Sequence, residues 1–449
     1  MPTRPFLIAH CCQLLTLRGS RRPRRRRQLA ALGLIRDGAV LMQGDRIVAV
    51  GTTRAVERHP LARRAKKFHA RDLIVLPGFV DSHTHLLFPA SRADEYEQRI
   101  AGLPRTKPAL SVVEGSRGLS RAKSRGASYE QIARRGGGIL STVRKLRRAD
   151  KQSLQQQARR WLGEFATHGT TTLEAKSGYG LSLGSELKML EILRRLHREG
   201  PLELVATFLG AHVVPPEYKR KPDAYLDLLI RRMIPAVAAR GLAEFCDVFC
   251  DRGAFMLTQA RLILTAARVC GMELRLHAEQ LARTGGARLA VQLHAASVDH
   301  LERINRADIR ALGASDTICT LLPGAVFHLG KSSYAPARAL IDAGAAVALA
   351  TDFNPGTSPT VSMPMILSLA CTQMRMSPAE AIAAATINGA HALRRADRLG
   401  SLEAGKQADL CAFELSDYRE IPYYFGVNLC RLTIKRGQVI YDANGRFQT

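Results

Sequence analysis

Between residues 5 and 70, apolar and polar positions alternate in short pieces, as in Ala39-Val-Leu-Met-Gln-Gly-Asp-Arg-Ile-Val-Ala-Val-Gly. Alternation with period two marks strands with one buried face, and Gln43-Gly44-Asp45-Arg46 supplies the turn between two of them. The same style returns at Ala408–Glu414 and Leu432–Tyr441. These β-rich ends predict one small β-sandwich assembled from residues 1–73 and 400–449. The middle, 74–399, has another rhythm. Short β-prone runs occur at Phe79–His83, Thr170–Glu174, Val205–Leu209, Phe245–Phe249, Glu273–His277, Ser297–His300, Thr317–Leu321 and Val347–Thr351. Between most of them lie amphipathic helices. Leu154, Ala158, Trp161, Leu162 and Phe165 fall at helical spacing in one, and further helical stretches cover Ala224–Arg240, Thr258–Val269 and Ala335–Ala343. Eight strands with helical crossovers predict an α/β fold, a (β/α)8 TIM-type barrel. A doubly wound open sheet is the alternative, but no Gly-X-Gly-X-X-Gly opens a helix here.

Residues 103–126 interrupt this order. They are basic, contain Gly, Ser and Pro, lack periodicity and read as an inserted surface loop. Just beyond, Gly136-Gly137-Gly138 suits a helix C-cap and tight turn better than an anion cradle.

Composition narrows the classes. A hydrophobic fraction of 46% fits a globular protein with a large core, and no run of 18 apolar residues is present, so no membrane span is expected. Nine cysteines, scattered without metal-knuckle spacing, read as free thiols in a reducing cytoplasm. The N-terminus lacks the apolar core of a secretory signal. The net charge of +27 requires a nucleic-acid-binding reading to be weighed. The basic run Arg18–Arg27 reads as a solvated loop between strands. With 6% aromatic residues and none interleaved among the arginines, a base-stacking platform is poorly supported, and a surface attracting small anions explains as much.

The chemistry collects where barrel strands end. The first ends in His83-Thr84-His85, whose imidazoles point the same way on an extended strand. The fifth ends at His277, the sixth at His300 and the eighth at Asp352. Imidazoles with a carboxylate suit a hydrolytic zinc or iron that keeps one position open.

This pattern resembles the amidohydrolase superfamily. Val80-Asp-Ser-His-Thr-His-Leu, Ser91-Arg-Ala-Asp-Glu-Tyr-Glu, Lys176-Ser-Gly-Tyr-Gly-Leu, Leu209-Gly-Ala-His-Val-Val-Pro-Pro-Glu-Tyr, His277-Ala-Glu-Gln and Asp352-Phe-Asn-Pro-Gly-Thr-Ser-Pro together are similar to the imidazolonepropionase family within it. The resemblance implies one zinc or iron ion on His83, His85, His277 and Asp352. It also implies hydrolysis of the small anionic lactam 4-imidazolone-5-propanoate to N-formimidoyl-L-glutamate. Arg92, Tyr179, His212, Gln280, Asn354, Gly356 and Thr357 become substrate contacts, with His212 stabilising the oxyanion. Asp352, His300 and Glu279 stay open as the group that moves protons. Two rivals stay open as well: a mononuclear deaminase of a purine or pyrimidine base, and a nucleic-acid-binding protein on a degenerate barrel. A homodimer is a candidate on size alone.

Overall fold

The computed structural model describes residues 4–19, 21–102, 131–132 and 135–445. The insertion expected at 103–126 lies outside the described residues. Five strands come first: β1 Phe6–Leu15, β2 Leu34–Gln43, β3 Arg46–Thr52, β4 Lys66–His69 and β5 Leu73–Pro77. The barrel strands follow as β6 Phe79–Asp81, β7 Thr170–Lys176, β8 Glu203–Ala211, β9 Phe245–Cys250, β10 Glu273–Ala278, β11 Ser297–His300, β12 Ile318–Leu321 and β13 Val347–Leu349. The chain finishes with β14 Leu410–Glu414, β15 Cys430–Lys435 and β16 Gln438–Asp442.

The two ends of the chain do assemble together, but as one continuous mixed sheet ordered β16-β15-β14-β5-β1-β2-β3, with β4 also on β1. A bulge between Ile8 and Cys11 re-aims β1, which pairs with β4 before it and β5 after it. The sheet encloses Ile8, Leu14, Val40, Val75, Leu410, Leu432 and Ile434. It also runs past residue 73. All of β5 pairs antiparallel with β14, from Leu73 opposite Glu414 to Pro77 opposite Leu410, so the barrel begins after Pro77.

Strands β6 to β13 are parallel and ordered as in the sequence. Each joins the next by a ladder. Among the described residues, β13 and β6 meet only beyond their ends, through an isolated Thr84–Phe353 bridge. The His85 N–H donates to the Phe353 carbonyl at 2.8 Å and the Asp352 N–H to the His83 carbonyl at 3.0 Å. Buried Asp81 pins this seam by accepting the Thr351 N–H (3.1 Å) and hydroxyl (2.6 Å).

Two expectations change. The stretch 224–240 is not one α-helix: Pro222–Leu228 passes through a π turn at Leu229–Met233 into Ile234–Ala239. Pro235 cannot donate to the helical ladder, and the wider turn absorbs the defect. The Arg18–Arg27 run is not simply solvated. Arg24 is buried and donates to the carbonyls of Leu17, Arg18 and Ala31. Arg25 reaches Asp316 at 2.8 Å and the Ser315 and Gly344 carbonyls. The run is a dock onto the barrel. A second dock joins barrel and sheet, where Lys435 lies 3.2 Å from Glu203 and 2.7 Å from Asp409.

Candidate active site

The segments just after β6 and β13 and the C-terminal residues of β10 and β11 meet at one point. Donor atoms of His83, His85 and Asp352 lie within 4.8 Å of one another, as do those of His83, His277 and His300. The two groups share His83, and His300 belongs to the second of them. His83 Nε2, His85 Nδ1 and His277 Nε2 are buried without a hydrogen-bond partner. Burial, reinforced by neighbouring cations, holds His83 and His85 well below the usual imidazole range, so their nitrogens present lone pairs. His300 and Asp352 adopt left-handed backbone, φ 84° and 52°, a conformation that costs a non-glycine residue and marks a constrained site.

Beneath the imidazoles lies a layer of buried charge. Asp299 Oδ2 is 2.7 Å from His83 Nδ1 and accepts from Arg275 at 3.0 Å. Asp247 Oδ2 is 2.9 Å from His277 Nδ1 and accepts from Lys176 at 2.8 Å. Lys176 also donates to Glu174 at 2.7 Å. Asp299 keeps a proton on His83 Nδ1 and turns its Nε2 toward the centre, and Asp247 lies beside His277 Nδ1 in the same way without closing a hydrogen bond. Burial would raise the Asp247 pKa, but His277 and Lys176 hold it well below the carboxylate range. This layer has three carboxylates against two cations, which leaves it short of positive charge. The donor set and that deficit both fit a metal cation.

Asp352 is pushed up to about 7, chiefly by burial. Burial opposes a charge on His300, yet Glu302 at 3.3 Å, with Asp352 and Asp299, lifts it to about 9. Of the three proton-moving candidates, Glu279 is elsewhere. Its carboxylate accepts backbone N–H groups of Thr284, Gly285 and Ala287 at 2.7, 2.9 and 3.2 Å, fixing the turn after β10. It does not line the cavity.

The cavity above the cluster has a volume of about 390 Å³. Arg92, Tyr179, His212, Gln280, Asn354 and Thr357 all line it. Arg92 is buried, and its guanidinium lies over Gly356, where an added Cβ would come within 1.4 Å of Nη2. Gly356 therefore acts as the space the arginine occupies. Asn354 spends its amide on its own loop: Nδ2 donates to the Asp352 carbonyl and Thr357 Oγ1, and Oδ1 accepts from Gly356 and Thr357 N–H groups. It shapes the wall. His212 stacks on His85 with ring centroids 5.3 Å apart. Its Nδ1 lies 3.0 Å from the Gly178 carbonyl, which can only accept, and burial lowers its pKa to about 3. Neutral and protonated on Nδ1, His212 offers Nε2 as an acceptor, not as the oxyanion donor expected from the motif.

No task was expected from sequence for Glu174, Lys176, Asp247, Asp299 or Arg275. Nor was one expected for Glu186, whose buried carboxylate accepts the Gly178, Gly180 and Leu181 N–H groups and so shapes the Tyr179 turn. One signal was available. It concerns Asp247, the single charged residue of the strand Phe245-Cys-Asp-Val-Phe-Cys250: a charge in an apolar strand has to be paired, and it is, with Lys176.

Residues 74–440 match the model of the amidohydrolase family. The chain is 46% identical over 442 residues to an imidazolonepropionase of Geobacillus kaustophilus, covering 98% of each chain. It is 46% identical over 434 residues to the imidazolonepropionase of Solibacter usitatus, covering 97% of this chain and 98% of that one. Among solved structures, a mutant atrazine chlorohydrolase of Arthrobacter aurescens, complexed with zinc and atraton, matches with TM-score 0.70 at 18% identity, covering 98% and 95% of the two chains. A guanine deaminase of E. coli matches with TM-score 0.69 at 15% identity, covering 98% and 100%. These two share the fold. On the sequence matches, the chain belongs to the amidohydrolase family and, within it, to the imidazolonepropionases.

Proposed function

We propose that this protein hydrolyses the cyclic amide of 4-imidazolone-5-propanoate to N-formimidoyl-L-glutamate, a step of histidine degradation. One zinc or iron ion is held by His83, His85, His277 and Asp352. The observation that carries the reading is a single cavity holding unpartnered imidazole nitrogens, Asp352 and a buried arginine. The ion, when bound, supplies hydroxide at neutral pH, because such sites bring the pKa of water down to about 7.

The protein's residues do the rest. Arg92 grips the propanoate with its planar fork, and Gly356 leaves room for it. Tyr179 and Gln280 border the ring, and Thr357 completes that wall. His212 Nε2 accepts a ring N–H and orients the lactam. Asp352 takes the proton that water loses in becoming the hydroxide that attacks the carbonyl carbon. It returns that proton to the ring nitrogen as the C–N bond breaks. His300, beside Glu302, is the other group placed to move a proton.

A nucleobase deaminase is disfavoured by Arg92, since a neutral base offers it no carboxylate. Nucleic-acid binding would leave this buried cluster without a task. No described helix is long and apolar enough to cross a membrane, and all nine cysteines are free thiols, in keeping with the cytoplasm. The test is loss of the imidazolone chromophore, measured before and after chelation and after reloading with zinc or iron. Turnover that persists unchanged in metal-stripped protein rules the reading out.

A further inference from the structure

Glu95 lies in the first turn of the helix Ala93–Gly102, one turn beyond Arg92, and the mechanism above gives it no task. Its two oxygens face different parts of the site. Oε1 accepts the Gly138 N–H at 3.0 Å and the Ser141 hydroxyl at 2.9 Å. Oε2 lies 3.7 Å from Arg92 Nη1, and the Glu95 side chain is only 17% exposed. Gly137 sits so close that an added Cβ would come within 3.2 Å of Glu95 Oε1 and 2.6 Å of Ile132 Cγ2. Arg92 and Gly137 both line the cavity. The carboxylate thus joins two walls that 103–130 separates along the chain.

We infer that Glu95 is a positioning residue for Arg92, clamping it to the Gly136–Gly138 turn so that its guanidinium presents a fixed fork to the substrate carboxylate. The inference rests on the reading of Arg92 as that carboxylate's partner. Its consequence is that chain length added between the two walls leaves the fork in place, since the clamp closes across it. Charge alone argues the other way: a carboxylate beside an arginine lowers the local positive potential and weakens anion binding. The two effects have opposite signs, so removing the charge decides between them.

Glu95→Gln keeps an oxygen for Gly138 and Ser141 and removes the attraction to Arg92. Its KM for 4-imidazolone-5-propanoate is expected to rise roughly five- to tenfold, with kcat within about twofold. The same variant acts unchanged on an imidazolone ring lacking the propanoate tail, which a merely structural defect would also impair. Arg92→Ala with Glu95→Gln binds no worse than Arg92→Ala alone, since Glu95 acts only through Arg92. An unchanged or lower KM in Glu95→Gln, or equal loss on the tail-less ring, overturns the inference. If Arg92→Ala itself leaves KM unchanged, the underlying reading fails first and this one falls with it. Thermal melts of each variant confirm folding.

Discussion

Gly356→Ala isolates the fit between a glycine and an arginine. Gly356 does not occupy the left-handed region, so alanine adopts its backbone without strain. The new Cβ would stand 1.4 Å from Arg92 Nη2 and 2.0 Å from Cζ. Ordinary contact needs about 3.5 Å, so the guanidinium must retreat by roughly 2 Å. The displaced atoms are the tip of a flexible side chain, so the melting temperature should hardly move. The loss falls on binding instead. A hydrogen bond to a charged group contributes about 1.5–3 kcal/mol, which corresponds to a KM about 10- to 150-fold higher. Steady-state kinetics on 4-imidazolone-5-propanoate read this directly, with kcat expected within a few-fold of the parent. A KM within about twofold of the parent would show that Arg92 does not hold the propanoate.

Three further outcomes follow from the same geometry. Asp299→Asn weakens the group that orients His83, and should cost about 10- to 100-fold in metal affinity, measured by competition with a chromophoric chelator; unchanged affinity would remove the orienting role. Glu279→Gln should lower stability by about 1–2 kcal/mol in urea melts yet leave the pH–rate profile intact, and abolished turnover would restore it as the base. Glu203 is held down from 4.5 to about 2: burial opposes its charge, but Lys435 and Arg398 more than compensate. A depressed carboxyl stabilises above its unfolded pKa, so on the order of 3 kcal/mol should be lost as pH falls from 4.5 to 2. Glu203→Gln should flatten that acid limb, and an equally steep limb in the variant would refute the assignment.

The barrel was legible because its eight strands recur with helices between them, and strand ends concentrate chemistry. His83, His277, His300 and Asp352 could therefore be read as neighbours while far apart in sequence. What supports them could not. Asp299 adjoins His300, but nothing in its spacing says that it reaches His83 across the barrel. Asp247 looks like one polar residue in an apolar strand and Lys176 like one of several in its own, and only the closed barrel makes them partners. Arg24 and Arg25 were hidden by their own abundance, since a run of arginines reads as solvated until a surface of carbonyls meets it. His212 lines the cavity, but its proton could be located only once the Gly178 carbonyl was seen beside Nδ1.

The seam between β13 and β6 has a mechanical meaning. Elsewhere around the barrel, neighbouring strands are laced together; here one bridge and a few hydrogen bonds close the ring. His83 and His85 stand on one lip and Asp352 on the other. A cation shared across them would act as a rivet, and its binding would stabilise the closed ring by about 4 kcal/mol when the free ion is a thousand times its Kd. Metal starvation should then open this seam before any other, with faster amide exchange at His85 and Asp352, and the protein would lose its shape at the place where it loses its activity.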